Sequence, residues 1–302
     1  MRINSEIVKR LRKRAGLSQE KLAEKLGINQ QQISLIENGK NDMDVWQFIF
    51  FLEILGQPSE NFWQIYLDTK EYDEYRIYRK LNRMLRDNKI DDIAEILPEF
   101  ENGQLAKRSY IKQFAAYLRV ITNSNISPEQ KLDELYKVIE ISIKDFRETE
   151  ISTYRLNYNE ICIINEIAIN LFEIGEKERA IDLLKGIIAS RKEIQASEED
   201  MGILFPPLMA TLSTFLGRAG RIRESLKICN EALDISREYN NARCVPSILY
   251  NIASGEDLLG VDKNKVKERL LEAYYCANAL GRYVTASVIK KDAEESFGIT
   301  IP

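Results

Sequence analysis

Histidine is missing from all 302 residues. That absence removes imidazole general bases, His-containing catalytic triads and most zinc sites together. Cysteine is sparse: Cys162, Cys229, Cys244 and Cys276 lie far apart, without CxxC spacing, each among apolar residues at helical spacing. Buried, reduced thiols are therefore expected, and not a disulfide framework or a metal-ligand set. Glycine and proline together fill only 21 positions, and neither a Gly-rich phosphate loop nor a serine nucleophile elbow is present. Carboxylate pairs such as Glu198/Glu199 and Glu294/Glu295 are adjacent in sequence, so a helix cannot aim both at one pocket. Neither an enzyme nor a cofactor is expected. Long apolar runs are lacking too. The greasiest stretch, VWQFIFFLEIL, is interrupted by Gln47 and Glu53 and falls well short of the ~20 residues that a membrane span needs. The N-terminus is charged at once, without the apolar core of a signal peptide. A cytoplasmic protein without membrane association is the expectation.

What is present is a helix-rich composition, 44% hydrophobic and 30% charged, long enough for two domains. The net charge of −4 conceals an asymmetry. Residues 1–40 hold nine Lys/Arg against four Glu, giving +5 and leaving −9 for the remainder. A basic head on an acidic body confines phosphate attraction to one end.

The stretch Leu17–Lys40, LSQEKLAEKLGINQQQISLIENGK, organises that head. Leu22, Ala23 and Leu26 share one helical face, and Ile33 and Ile36 share another. Gly27 suits the positive φ of the bend between them. Asn29 is an N-cap that Gln32 can reach back to, much as in a capping box. Gln30 and Gln31 then lie in the first turn, away from the buried face. A glutamine amide offers donor and acceptor together and fits the N6/N7 edge of adenine in a major groove. This is the pattern of a helix-turn-helix whose second helix reads bases with its N-terminal residues.

On SQEKLAEKLG…QQQIS…IENGK, residues 5–66 resemble the phage repressor/Cro (XRE) family of DNA-binding domains. The resemblance implies five helices, at about 4–14, 18–25, 30–37, 44–55 and 59–66. It places Gln19 on a phosphate and Asn38 and Lys40 on the backbone after the recognition helix. Gln32 and Ser34 complete the DNA-facing set. It also implies a partly buried ion pair, Arg12 with Glu37, tying the first helix to the third. Trp46, Ile49, Phe50, Leu52 and Leu55 continue the apolar pattern, and Phe62, Trp63 and Tyr66 are expected core contacts of the fifth helix.

Residues 68–89 form a long charged helix with Tyr72, Tyr75 and Tyr78 recurring every third position, the expected connector. Beyond it no strand signal appears. Helices are expected at 90–100, 104–123, 128–146, 155–174, 176–194, 202–218, 221–238, 243–259, 263–281 and 283–296. Ser127-Pro128-Glu129-Gln130 is a clean start. LFEIGEKERAIDLLKGII, FLGRAGRIRESLKICNEAL and LLGVDKNKVKERLLEAYYCA repeat one another: an apolar helix end, a Gly, a charged start and a second amphipathic helix. Gly175, Gly220 and Gly260 mark the turns. Paired helices at a period slightly above the ~34 of a tetratricopeptide (TPR) unit imply a right-handed α-superhelix with a concave face. Ala180, Ser225 and Ala232 are small enough to let neighbouring helices approach. The fold class expected is all-α: a repressor-type head (1–67), a connector helix (68–89) and a TPR-like superhelix (90–302).

A head of this kind on a TPR-like body resembles the peptide-pheromone-sensing transcriptional regulators of Gram-positive bacteria, of the PlcR, PrgX and Rgg kind. The likeness is strongest through the Asn165–Gly175–Ala180 and Arg221–Leu233 stretches. It implies a homodimer that binds double-stranded DNA with two half-sites and is controlled by a short signalling peptide in the concave groove. An extended peptide needs its backbone donors and acceptors satisfied, which asparagine can do. Asn165 falls where this family places a peptide-binding asparagine. Asn251 with Tyr250 in LYNIA, and Asn159 with Tyr158 two turns before Asn165, extend the candidate surface, while the next repeat offers Thr211 in place of an asparagine. A body that binds a protein partner or a small molecule is the alternative.

Overall fold

The structure, a computed structural model, describes residues 5–56, 69–87, 89–192 and 198–301. The described residues are helical throughout, without a strand. They divide into two compact units, residues 1–122 and 123–302.

In the first unit, α1 (Ser5–Arg14), α2 (Gln19–Leu26), α3 (Gln30–Glu37) and α4 (Val45–Ile54) enclose one apolar core. Val8, Leu22, Ile33, Ile36, Phe48 and Phe51 are almost wholly buried there. The starts of α2, α3 and α4 are capped by the residues the sequence offers. Ser18 Oγ accepts from Lys21 N, and Asn29–Gln32 and Asp44–Gln47 form reciprocal capping boxes. Gly27 ends α2 at φ 67°, which turns the chain into α3 at no steric cost. The helix expected over 59–66, with Phe62, Trp63 and Tyr66, lies outside the described residues.

The same unit continues with α5 (Thr69–Arg86), α6 (Ile90–Glu101) and α7 (Ser109–Thr122). Along α5 the Tyr78 ring stacks on Phe100 at 6.3 Å and meets Phe114 edge-on at 5.2 Å. Leu105 N donates to Glu74 Oε2 at 2.7 Å. One face of the expected connector is therefore an integral wall of a three-helix packing.

The second unit comprises α8 (Pro128–Ile139), α9 (Tyr158–Glu173), α10 (Lys177–Ala189), α11 (Glu198–Arg218), α12 (Ile222–Glu238), α13 (Val245–Leu258), α14 (Lys263–Ala279) and α15 (Tyr283–Glu295). Successive helices pack against one another, and α9 also touches α11, α11 touches α13, and α13 touches α15. The helices thus form two layers, the arrangement of stacked TPR-like pairs. Its periodicity is visible atom by atom in the hairpin turns. After Gly175, Gly220, Gly260 and Gly281, all at positive φ, the next amide donates back five positions: Glu176 N to Leu171 O, Arg221 N to Leu216 O, Val261 N to Glu256 O, and Arg282 N to Ala277 O. This is the hydrogen bond that closes a helix around a left-handed glycine. Ala180, Ser225 and Ala232 are buried as expected. The sequence reading overlooked two tighter approaches: a Cβ on Gly255 would meet Leu226 at 2.8 Å, and one on Gly186 would run into Ile151.

The helix expected over 128–146 stops at Ile139. Residues 140–157 instead form a strap with a 3-10 stretch at Glu148–Thr153, pinned on α10. Asp145 adopts φ 53°, Phe146 stacks on Tyr154, and Glu148 accepts from Tyr136 Oη and pairs with Arg179. Ile139, Ile143 and Phe146 keep a helical spacing, but the positive φ at Asp145 and the side-chain anchors on α10 set the path of the chain here instead.

Candidate functional site

Two surfaces carry the candidate residues. The first is the exposed side of α3. Its opening is fixed locally: Gln32 N donates to Asn29 Oδ1 at 2.8 Å, and Asn29 N donates to Gln32 Oε1 at 3.2 Å. Gln32 is therefore engaged in holding the helix start, while Gln30 and Gln31 are exposed on the first turn. An exposed amide pair on the leading turn of a helix is the geometry for reading base edges.

A buried polar cluster holds that helix. Arg12 Nε donates to Glu37 Oε1 at 2.5 Å and its Nη2 donates to Oε2 at 2.9 Å. Arg12 Nη1 donates to the Leu17 carbonyl at 2.7 Å, and Gln19 Nε2 donates to Glu37 Oε2 at 2.8 Å. The Glu37 carboxylate thus joins α1, α2 and α3, and Arg12 ties in the turn after α1. Burial pushes the Glu37 carboxyl up, but hydrogen bonds from Arg12 and Gln19 and the charges of Arg12 and Lys9 together bring it below its ordinary 4.5. Gln19 sits on α2 with one amide hydrogen anchored, which fixes where its remaining polar atoms point. Asn38 Nδ2 donates to Ser34 O at 2.7 Å, so Asn38 closes the end of α3, with Ser34 half-buried beneath it and Lys40 exposed beyond.

The second surface is the layer α9–α11–α13–α15. Asn251 Nδ2 lies 3.2 Å from Ala210 O, 2.7 Å from Ser213 Oγ and 3.0 Å from Thr214 Oγ1, so it clamps α13 to α11. Beside it Tyr250 Oη donates to Asp292 Oδ2 at 2.9 Å, linking α13 to α15. Burial, together with the Asp292 hydrogen bond and charge, pushes that phenol up to about 12. Both residues line an open cavity of about 380 Å³, with Ser213, Thr214, Arg218 and Ser254 on the polar side and Ile222 and Leu258 on the apolar side. That volume is at the small end of the ~300–1,000 Å³ of ligand pockets.

The other sequence candidates fall elsewhere. Asn165 is half-buried on α9, and its Oδ1 is shielded from solvent without a hydrogen-bond partner, an acceptor that a ligand donor could satisfy. Thr211 is half-buried and donates to Pro207 O at 3.1 Å within α11. Asn159 was expected on the exposed surface but is 0% exposed. It shares the inward face with Ile163 and Ile167, so it cannot touch a peptide in this conformation and is removed from the candidate set. Arg218, Thr214 and Ser254 were not singled out from sequence; their common cavity exists only once α11 and α13 are side by side. Glu166, next to Asn165, was also missed. Burial pushes its carboxyl up, against the charge of Lys131 and a hydrogen bond from Asn170. Among the described residues no group of three His, Cys, Asp or Glu is placed to hold a metal, and no helix is long and apolar enough to cross a membrane.

Comparison with known proteins agrees with this geometry. A helix-turn-helix family model matches residues 8–45. No curated protein matches the sequence. Several solved structures are similar over nearly the whole chain, among them the following three. PlcR of Bacillus thuringiensis, in complex with the peptide PapR7 and DNA, is 17% identical with a TM-score of 0.72, covering 94% of this chain and 98% of that one. ComR of S. thermophilus, in complex with DNA and its signalling peptide ComS, is 17% identical with a TM-score of 0.63, covering 95% and 97%. The SHP pheromone receptor Rgg2 of Streptococcus dysgalactiae is 15% identical with a TM-score of 0.58, covering 97% and 98%. This protein therefore carries a helix-turn-helix domain at residues 8–45 and has the all-α fold shared by PlcR, ComR and Rgg2.

Proposed function

We propose that the protein is a cytoplasmic, sequence-specific DNA-binding transcriptional regulator whose hold on its operator is set by a short signalling peptide in the groove of the repeat unit. The observation that carries this reading is the coexistence of two prepared surfaces in one chain. Gln30 and Gln31 stand exposed on a capped helix, and α9, α11 and α13 form a layer with an open polar cavity beside Asn251. Structures of PlcR and ComR hold both DNA and a peptide on the same fold, which supports assigning one ligand to each surface.

Residues 1–67 serve as the head, 68–89 as the connector and 90–302 as the repeat body. In the head, Gln30 and Gln31 read bases. Gln19, Ser34, Asn38 and Lys40 position the backbone, and Gln32 holds the helix start. In the body, Asn165, Thr211, Tyr250 and Asn251 border the peptide. The active form is a homodimer on two half-sites about one helical turn apart. Its contact surface includes the outer face of α15, where Tyr283, Val284 and Val288 are 70%, 81% and 52% exposed, an apolar face where a terminal repeat would otherwise be polar.

A peptide changes DNA affinity only through unequal affinity for two arrangements of the dimer. A 100-fold effect requires ~2.7 kcal/mol of coupling. The test is a selection of random duplex DNA by the purified full chain, followed by binding of the selected duplex with and without short peptides. An enriched sequence with two half-sites, and an affinity moved by one peptide, is expected. No enriched sequence would refute the DNA reading. An enriched sequence indifferent to every peptide would refute the peptide reading and leave a protein or metabolite as effector.

A further inference from the structure

The cavity beside Asn251 has an unusual balance of hydrogen-bonding groups. Most of its donors already have internal partners. Ser225 Oγ donates to Ser213 O at 2.7 Å, Thr214 Oγ1 donates to Ala210 O at 3.0 Å, and Ser213 Oγ donates to Ala210 O at 2.8 Å. The Asn251 amide hydrogens go to the Ser213 and Thr214 hydroxyls, and Tyr250 goes to Asp292. Two lining side chains, Arg218 and Ser254, have no hydrogen bond or ion pair among the described residues.

Arg218 is also held ready. Its guanidinium carbon lies 5.0 Å from the centroid of the Phe172 ring, and Phe172 stacks on Phe215 with centroids 4.1 Å apart and planes inclined by 10°. Both rings are nearly buried, so the cation rests on a rigid platform and keeps its edge free. The neighbouring carboxylates have other partners. Glu224 is bound by Arg221 and Lys185, Asp257 by Lys263, and Glu256 lies 3.8 Å from Arg269. A planar cation with a free edge at the mouth of a polar cavity matches a carboxylate, which accepts two parallel N–H bonds.

We propose that this cavity takes a carboxylate of the bound peptide, with Arg218 as the two-pronged anchor, Ser254 as a supporting donor, and Ile222 and Leu258 seating the adjacent apolar side chain. The assignment rests on the peptide reading above and adds a chemical requirement to it. A carboxylate is available from two sources, the peptide's C-terminus or an acidic side chain.

The experiment is affinity selection by the full-length protein from a soluble synthetic library of random short peptides, made once as free acids and once as C-terminal amides. Selected peptides are then titrated against wild type, R218Q and R218K, with melting curves confirming that the exposed substitution leaves the fold intact. Loss of a hydrogen-bonded charge pair corresponds to about 10- to 150-fold weaker binding. If the C-terminus is the source, amidation and R218Q each cost that factor and together cost no more. If a side chain is the source, amidation is neutral, and replacing one Asp or Glu of the peptide shows the same non-additivity with R218Q. R218K, which keeps the charge without the fork, falls between. Selected peptides that bind wild type and R218Q equally would overturn the anchor while leaving the peptide reading intact. A library from which nothing is selected in either form would overturn that reading, and the anchor with it.

Discussion

Arg12 and Glu37 offer the sharpest test of how the head is built. The Gln19 side chain and the Leu17 carbonyl converge on this pair, and the carboxylate side chain is only 1% exposed. Replacing Arg12 with Ala removes both guanidinium bonds to Glu37, and the one to the Leu17 carbonyl, and leaves Glu37 buried with Gln19 alone. Breaking one partner of such a buried pair costs about 3–5 kcal/mol, mostly because an uncompensated charge remains. The four helices of the head span about fifty residues, for which total stability is of the order of 5 kcal/mol. The substitution should therefore leave the head barely folded, although no residue facing DNA has changed. Replacing both partners with apolar residues, Arg12→Met with Glu37→Leu, removes the orphaned charge and should recover most of the loss.

Hydrogen exchange followed by mass spectrometry in the full chain isolates the effect, because it reports local opening of residues 5–40 independently of the repeat unit. Arg12→Ala and Glu37→Ala are each expected to lower protection there by about two to three and a half powers of ten. The pH dependence has a definite sign. The Glu37 carboxyl is held below its ordinary 4.5, so its contribution is complete above that value and disappears as pH falls through the lowered one. Wild-type protection should decline across that acid range, and Glu37→Gln should lack this part of the decline. A change under tenfold in both single variants, or equal loss in the single and double variants, would refute the argument that a buried charge network holds α3 in place.

Gln30→Ala or Gln31→Ala should each cost ~1–3 kcal/mol on the selected duplex and relax preference at one base position, measured by fluorescence anisotropy; uniform weakening on all duplexes would mean that the glutamines touch only backbone. Gly186→Ala should lower the melting temperature of the repeat unit, because the new methyl collides with Ile151, a clash worth about 1–3 kcal/mol against the ~1 kcal/mol that alanine gains in a helix. A raised melting temperature, or no recovery on adding Ile151→Ala, would contradict that. Val284→Lys with Val288→Lys should convert the proposed homodimer to monomer in sedimentation, and an unchanged dimer mass would move the interface away from α15.

How much of this was legible in the sequence follows from how far apart the contacting residues are along the chain. Caps and turns join residues three to five apart, so Asn29–Gln32, Ser127–Gln130 and the glycines ending α2, α9, α11 and α13 could be read directly. Asn159 was readable too. At spacings of four and eight it shares a face with Ile163 and Ile167, both wholly buried, and that periodicity should have outweighed its polar side chain. The strap at 140–157 was harder, since its anchors, Glu148 to Arg179 and Ile151 to Gly186, lie some thirty residues away. The cavity was beyond reach. Asn251 bonds to side chains 37 and 38 positions earlier, and Arg218 finds Phe172 in the preceding hairpin. Each link crosses from one helix pair to the next, so it depends on the stacking offset between repeats, which no local pattern encodes. The repeat period announces that a groove exists, while its chemistry is set by pairs of residues that meet only across neighbouring repeats. Changing one partner of such a pair should therefore alter ligand choice while leaving the repeat pattern, and with it the fold, unchanged.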